Sequence, residues 1–292
     1  MTLQSRSSAC NLLIHATEDT MEPAQTANRS PDILLSERQG AVAVLTLNRP
    51  SARNSLSLGL IAALHAAVER EGAARDVAVL VIRGAPPAFC AGHDLREMTA
   101  RRADADRGRA FFEETMHACA GMMQAIVACP KPVIAAVNGI ATAAGCQLVA
   151  TCDLAVAGES ARFATPGVNI GLFCSTPMVA LSRNVSRKAA MEMLLLGEMV
   201  PAAKALELGL VNRVVPDAQV FDAAMEIART IAAKSPLTLA IGKKAFYRQI
   251  EMPLAEAYDY AANVMVENML ARDAGEGIGA FLEKRKPEWT GS

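Results

Sequence analysis

Three short runs in the first half of the chain are apolar at nearly every position: VAVLTL (42–47), VAVLVIR (77–83) and VIAAV (133–137). A strand with one wet face alternates apolar and polar residues. Contiguous β-branched runs belong instead to strands buried on both faces, as in a sheet flanked by helices. Between the first two runs, 57–70 (SLGLIAALHAAVER) sets Leu60, Ile61, Leu64 and Val68 at helical spacing, with Ser57 placed to cap the helix. The alternation predicts an α/β fold.

Beyond residue 185 the pattern turns helical, over 187–196, 201–208 and 218–233. Pro201 suits a helix first turn and Gly209 a helix end. Val211 to Val215 reads as a last short strand, and helices continue from Pro236 to a charged run at 283–286. The division expected is an α/β core over 32–225 and a helical part over 226–292. Residues 1–31 are polar without an apolar period and read as a disordered tail. Arg6 precedes the first acid, Glu18, so organelle targeting is the alternative for this segment.

Lys and Arg number 29 against 30 Asp and Glu, and aromatics are 4%, which excludes a basic nucleic-acid face and a base-stacking platform. The most apolar stretch, 133–158, is broken by Asn138, Gln147 and Asp153, and so reads as core, not as a membrane span. The seven cysteines are scattered without a CxxC, and the four histidines without an HExxH. Neither a disulfide framework nor a metal site is expected, and a reducing cytosol is the expected setting.

Two glycine-bearing turns follow strand-like runs: AFCAGHDL (88–95), and NGIATAAGCQ (138–147), which leads into a helical stretch. Small residues let backbone approach a ligand closely, and a helix start offers free N–H groups. Two such turns can aim two backbone donors at one oxygen, forming an oxyanion hole. They can equally serve only to turn the chain.

With AFCAGHDLREM (88–98), KPVIAAVNGIATAAGCQLVATCDL (131–154), PAAKALELGLVNRVVP (201–216), DAGEGIGAFLEKRKPEW (273–289) and NRPSARNSL (48–56), the chain resembles the crotonase superfamily, also called the enoyl-CoA hydratase/isomerase family, over roughly residues 33–289. The resemblance implies a spiral of ββα units with a C-terminal helical region that builds a homotrimer or a dimer of trimers. It implies an acyl-CoA or enoyl-CoA thioester as substrate and no separate cofactor. The thioester oxygen would sit between the backbone N–H groups of His93 and Ala144. Arg53, Asn54, Ser55 and Leu56 match the loop along the CoA moiety. Ala91, Gly92, Asp94, Leu95, Gly145 and Gly167 match its surroundings, and Lys284 or Lys286 the reach to CoA phosphates.

The chain departs from the family's pattern at two positions. Hydratases of the family hold a water between two glutamates, which here fall on Gln147 and Gly167. Neither can carry a proton, so the hydratase reaction is in doubt. Other candidates for that work are His93, expected to titrate near pH 6–7, and the thiol of Cys174. Ser175 could hold a water with Gln147, and Gln147 itself could orient a water or the thioester. Glu113 or Glu114 could project inward from a helix, and Met116, Met122 and Met123 could line an acyl pocket. Asp94 is expected to support its own turn. The leading expectation is an enzyme of enoyl-CoA chemistry. Members resembling methylmalonyl-CoA decarboxylase carry a histidine in the same AGHD position, so decarboxylation or hydrolysis of malonyl-type CoA esters is one alternative, and a non-catalytic acyl-CoA binder is another.

Overall fold

The contiguous apolar runs become the middle of one sheet. β1 (Leu34–Gln39) and β2 (Val42–Leu47) pair antiparallel around Gly40, whose φ of +62° requires glycine. α1 (Leu58–Ala73) follows, capped by Ser57 Oγ, which accepts the Leu60 N–H at 3.2 Å. β3 (Val79–Gly84) then lies parallel to β2. The chain returns through α2 (Leu95–Ala100) and α3 (Arg109–Ala128) to β4 (Val133–Val137). This computed structural model describes residues 32–292; the expected tail, 1–31, lies outside the described residues.

After β4 come β5 (Ile140–Thr142), α4 (Ala144–Thr151), β6 (Leu154–Gly158) and β7 (Arg162–Ala164). α5 (Ser175–Asn184), α6 (Arg187–Leu196), β8 (Val200–Pro201), α7 (Ala202–Leu208), β9 (Arg213–Val215) and α8 (Val220–Ala232) complete the spiral. The large sheet has the order β1-β2-β3-β4-β6-β9, and a small one the order β5-β7-β8. Every pairing in the large sheet after β1 is parallel.

Both faces of the large sheet are covered, which is why its strands do not alternate. Leu45, Leu47, Leu80, Ile82 and Val137 share one core with Leu60 and Leu64 of α1 and Met122 and Ile126 of α3. Val42, Val44, Val79, Val81 and Ile134 face the other way, against Val220, Ala224, Met225 and Ala228 of α8. The expected boundary at 225 is therefore corrected: it cuts through α8, a helix that covers the core sheet. Pro201 stands one residue ahead of its helix, as N-cap, and the strand read over 77–83 starts at Val79.

α9 (Pro236–Gln249), α10 (Leu254–Leu270) and α11 (Arg272–Glu283) form the helical end. α9 is tied to the core by Lys243 Nζ, which donates to Asp153 Oδ2 (2.7 Å), Ile126 O (2.9 Å) and Lys131 O (3.0 Å). Tyr247 OH donates to the other Asp153 oxygen at 2.9 Å. α10 buries no residue, and Leu254, Tyr258, Leu270, Phe281 and Leu282 stand exposed on α10 and α11. Among the described residues no helix is long and apolar enough to cross a membrane.

Candidate active site

The two glycine turns meet. Phe89 and Cys90 N–H both donate to Ile140 O (3.1 Å each), and Thr142 N–H donates to Cys90 O at 3.0 Å, a parallel bridge between the loops. Two glycines permit the contact. A Cβ on Gly145 would fall 2.1 Å from Cys90 O, and one on Gly92, whose φ is +92°, would fall 2.9 Å from Ala143 Cβ and 3.5 Å from Ala144 N. Only hydrogen side chains allow this approach.

The same packing frees two amides. Leu56 N–H donates to Gly92 O (2.7 Å) and Asp94 N–H to Leu56 O (3.0 Å), so the His93 N–H between them points away from Leu56. Ala143 caps α4 with φ 51° and ψ −117°, strained for a residue with a side chain. Its N–H donates to Ala164 O at 2.9 Å and its carbonyl accepts the Gln147 N–H at 3.0 Å. Ala144 is the first residue of the helix, where an N–H has no partner within the helix. Among the described residues neither the His93 nor the Ala144 N–H donates a hydrogen bond. These two donors, beside a helix start, can stabilise an anionic oxygen.

Unpartnered polar side chains mark the same place. His93 Nε2, Gln147 Oε1 and Thr165 Oγ1 are buried without a hydrogen-bond partner. Each such group costs about 1–3 kcal/mol when left unsatisfied. Their segments converge: Gly92 lies against Ala143 and Ala144, Gln147 is one turn into α4, and Thr165 follows the carbonyl that accepts from Ala143. The Thr165 hydroxyl was not foreseen from sequence, where it is one threonine among many.

Several expectations about individual residues are corrected. Burial pushes the His93 imidazole down to about 4, so it is neutral at pH 6–7 and does not titrate there. Burial pushes the Cys174 thiol up, and its Sγ accepts the Gly167 N–H at 3.3 Å; it is no activated thiolate. A Cβ on Gly167 would meet Leu172 O at 2.7 Å and Cys174 Sγ at 3.0 Å, so the loop has closed over the position where a side chain would emerge. Ser175 is exposed and donates to Phe173 O at 3.3 Å. Glu113 and Glu114 are exposed, with Glu113 paired to Arg109 at 2.9 Å. Met122 and Met123 are core residues, and Met116 is half-buried.

The loop at 53–56 braces the site. Asn54 is fully buried: its Nδ2 donates to Ala85 O and Ala88 O (2.7 Å each), and its Oδ1 accepts the Arg49 N–H at 2.9 Å. It is thus a positioning residue and not one free to touch CoA. Ala91 N–H donates to Arg53 O at 3.0 Å, Arg49 Nη1 donates to the buried Ser55 carbonyl at 2.6 Å, and Arg53 itself is exposed. Burial works against ionisation of Asp94, but its ion pair with Arg49 (2.8 Å) and the α2 amides outweigh it and hold the carboxyl below its usual range. Asp94 therefore caps α2, accepting from Arg96 and Glu97 N–H, and Leu95 is an exposed first residue of that helix. Lys284 is exposed at the end of α11, in the left-handed conformation with φ 58°.

Comparison with known proteins agrees with this geometry. The sequence model of the enoyl-CoA hydratase/isomerase family matches residues 37–292. A crystal structure of enoyl-CoA hydratase from Mycobacterium smegmatis is similar at 51% identity with a TM-score of 0.84, covering 88% of this chain and 98% of that one. Human enoyl-CoA hydratase domain-containing protein 3, mitochondrial, is 44% identical over 92% of this chain and 84% of its own length. The 2,3-dehydroadipyl-CoA hydratase of Escherichia coli K12 is 37% identical over 88% of this chain and 98% of its own. The fold is the crotonase fold, and the chain belongs to the enoyl-CoA hydratase/isomerase family.

Proposed function

We propose that this protein binds an acyl-CoA or enoyl-CoA thioester with its carbonyl oxygen between the His93 and Ala144 N–H groups, and stabilises the enolate-type anion that forms there. The observation that carries this reading is the pair of free amides held by two interlocked glycine turns. Removing one such donor typically costs roughly 3–4 kcal/mol of barrier lowering.

Hydration of an enoyl-CoA also needs a group to deliver and take protons. Gln147 is an amide and Gly167 has no side chain, while His93 is neutral and Cys174 a buried thiol. A tuned acid or base contributes roughly 10²–10⁴-fold. Crotonyl-CoA hydration is therefore slow, with Gln147 orienting water or thioester and carrying no proton.

Mass spectrometry of crotonyl-CoA incubated with the protein tests this. The expected product gains one water slowly, and Ala144→Pro, checked for fold by circular dichroism, abolishes the gain because proline has no N–H. Equal rates in the two proteins would refute the role given to Ala144.

The working form is a homotrimer or a dimer of trimers, a reading supported by the exposed apolar side chains of α10 and α11. Sedimentation analysis tests it, and a monomer at micromolar concentration would refute it. The compartment is the cytosol, with the mitochondrion as the alternative that the human relative's name supports.

A further inference from the structure

Arg83, Asn138, Asp217 and Phe221 line one cavity of about 220 Å³, at the carboxyl ends of β3 and β4 and beside the end of β6. Open parallel sheets bind ligands outside the carboxyl ends of their strands. This cavity lies on the other face of the sheet from the free amides. Arg83 continues the row of Val79 and Val81, which faces α8. Phe89, Cys90 and Ala144 belong to the core shared with α1 and α3.

The lining carries both signs of charge. The half-buried Arg83 guanidinium stands 4.7 Å from the centre of the Phe221 ring, and among the described residues it makes no ion pair and donates no hydrogen bond. Asp217 is fixed by Ser160, whose N–H donates to its Oδ1 at 3.0 Å. A Cβ on Gly158 would clash with Asp217 Oδ1 and fall 2.8 Å from Asn138 Oδ1, so these two oxygens converge on one point that glycine keeps clear. The Arg162 charge favours the Asp217 carboxylate, but its Nη1 donates to Glu159 O and Ala161 O.

Opposite charges thus share one cavity without meeting. They reach it from strands two apart in the sheet order, roughly 10 Å. A molecule with a carboxylate for Arg83 and an ammonium for Asp217 and Asn138 satisfies both. A simple anion would face the Asp217 carboxylate, and a simple cation the guanidinium. The volume is below the roughly 300–1,000 Å³ of pockets for drug-sized ligands, which restricts the guest to a few heavy atoms.

We propose that Arg83, Asn138 and Asp217 form a second binding site, for a small zwitterionic amino acid, independent of the acyl-CoA site.

Calorimetric titration of the full-length protein at neutral pH with glycine, 3-aminopropanoate and 4-aminobutanoate tests this, since the series varies the spacing of the two charges. Propanoate and propylamine, each with one charge, are the controls. At least one amino acid is expected to bind about tenfold tighter than both controls. Arg83→Met and Asp217→Asn, checked for fold by circular dichroism, should each erase that preference. Propanoate bound as tightly as every amino acid would overturn the proposal, as would an amino-acid affinity unmoved by Arg83→Met, or no amino acid bound at millimolar concentration. Each of these results leaves the acyl-CoA reading standing.

Discussion

Leu56 and His93 form a one-residue parallel bridge, in which the carbonyl before and the amide after His93 bond to Leu56. The His93 N–H is thereby left without a partner on the side of its loop away from Leu56. An edge of β-structure one residue long thus sets the direction of the amide proposed above to meet the thioester oxygen. Its supports are Asn54, which joins the loops after β2 and β3, and Gly92, which lets the second turn come close.

Asn54→Ala should destabilise the protein by about 2–4 kcal/mol, because it leaves the Ala85 and Ala88 carbonyls and the Arg49 N–H without partners. Urea unfolding measures the loss. A change within about 0.5 kcal/mol, the size of an ordinary surface substitution, would show that the bracing is not needed.

Gly145→Ala forces a Cβ toward Cys90 O, which is backbone and cannot swing away. The two turns must separate, and the expected cost is about 2–4 kcal/mol. Thermal stabilisation by butyryl-CoA should vanish along with it. Retained ligand stabilisation in a well-folded variant would argue against the close approach of the loops.

Stability should fall on acidification through His93. Its folded value, about 4, lies below the ordinary histidine value of 6.5. Between those values the unfolded chain carries a proton that the folded protein does not, so stability is full above 6.5 and declines toward pH 4. The loss is on the order of 3 kcal/mol. Comparing urea midpoints of the protein and His93→Gln at pH 7 and pH 4.5 isolates the effect. Equal pH slopes in the two would contradict a buried neutral imidazole.

Lys243→Met should cost about 3 kcal/mol, since it removes the cation paired with the partly buried Asp153 carboxylate and leaves two carbonyls without their donor. Hydrogen exchange is the informative readout: residues 236–249 should lose protection while 133–137 keep theirs. Uniform loss across both would mean that α9 is no separate unit.

Gln147→Glu keeps the side-chain shape and supplies a proton carrier, so crotonyl-CoA hydration should rise by up to roughly 10²-fold. Gly167→Glu should only destabilise, because its Cβ meets Leu172 O and Cys174 Sγ. A rate unmoved by Gln147→Glu would mean that the amide is not near the reacting carbons.

Much of the sheet was legible because burial on both faces leaves an unbroken apolar signature at 42–47 and 133–137. Ser57 and Gly209 were legible as helix ends because caps have local chemistry, a hydroxyl for Leu60 N–H and a φ of +83°. β5, β7 and β8 carry no such mark: two or three residues are too few for a period, and their pairing is made by loops that meet only in the fold. α8 looked like the start of the helical end, yet its apolar stripe covers the sheet. The two amides were placed by resemblance; their freedom depends on Leu56 and Ala143, whose bonding no spacing reveals. Thr165 was invisible for the same reason, its importance being the lack of a partner in three dimensions.

The central claim, that the His93 and Ala144 amides grip a thioester oxygen, is tested most directly by infrared spectroscopy of butyryl-CoA labelled with ¹³C at the thioester carbonyl. Two short hydrogen bonds to that oxygen weaken the C=O bond. On binding, the stretch should move to lower frequency than in water, and bound to Ala144→Pro it should return toward the water value. A bound ester whose stretch matches that of the free ester in water would contradict the account.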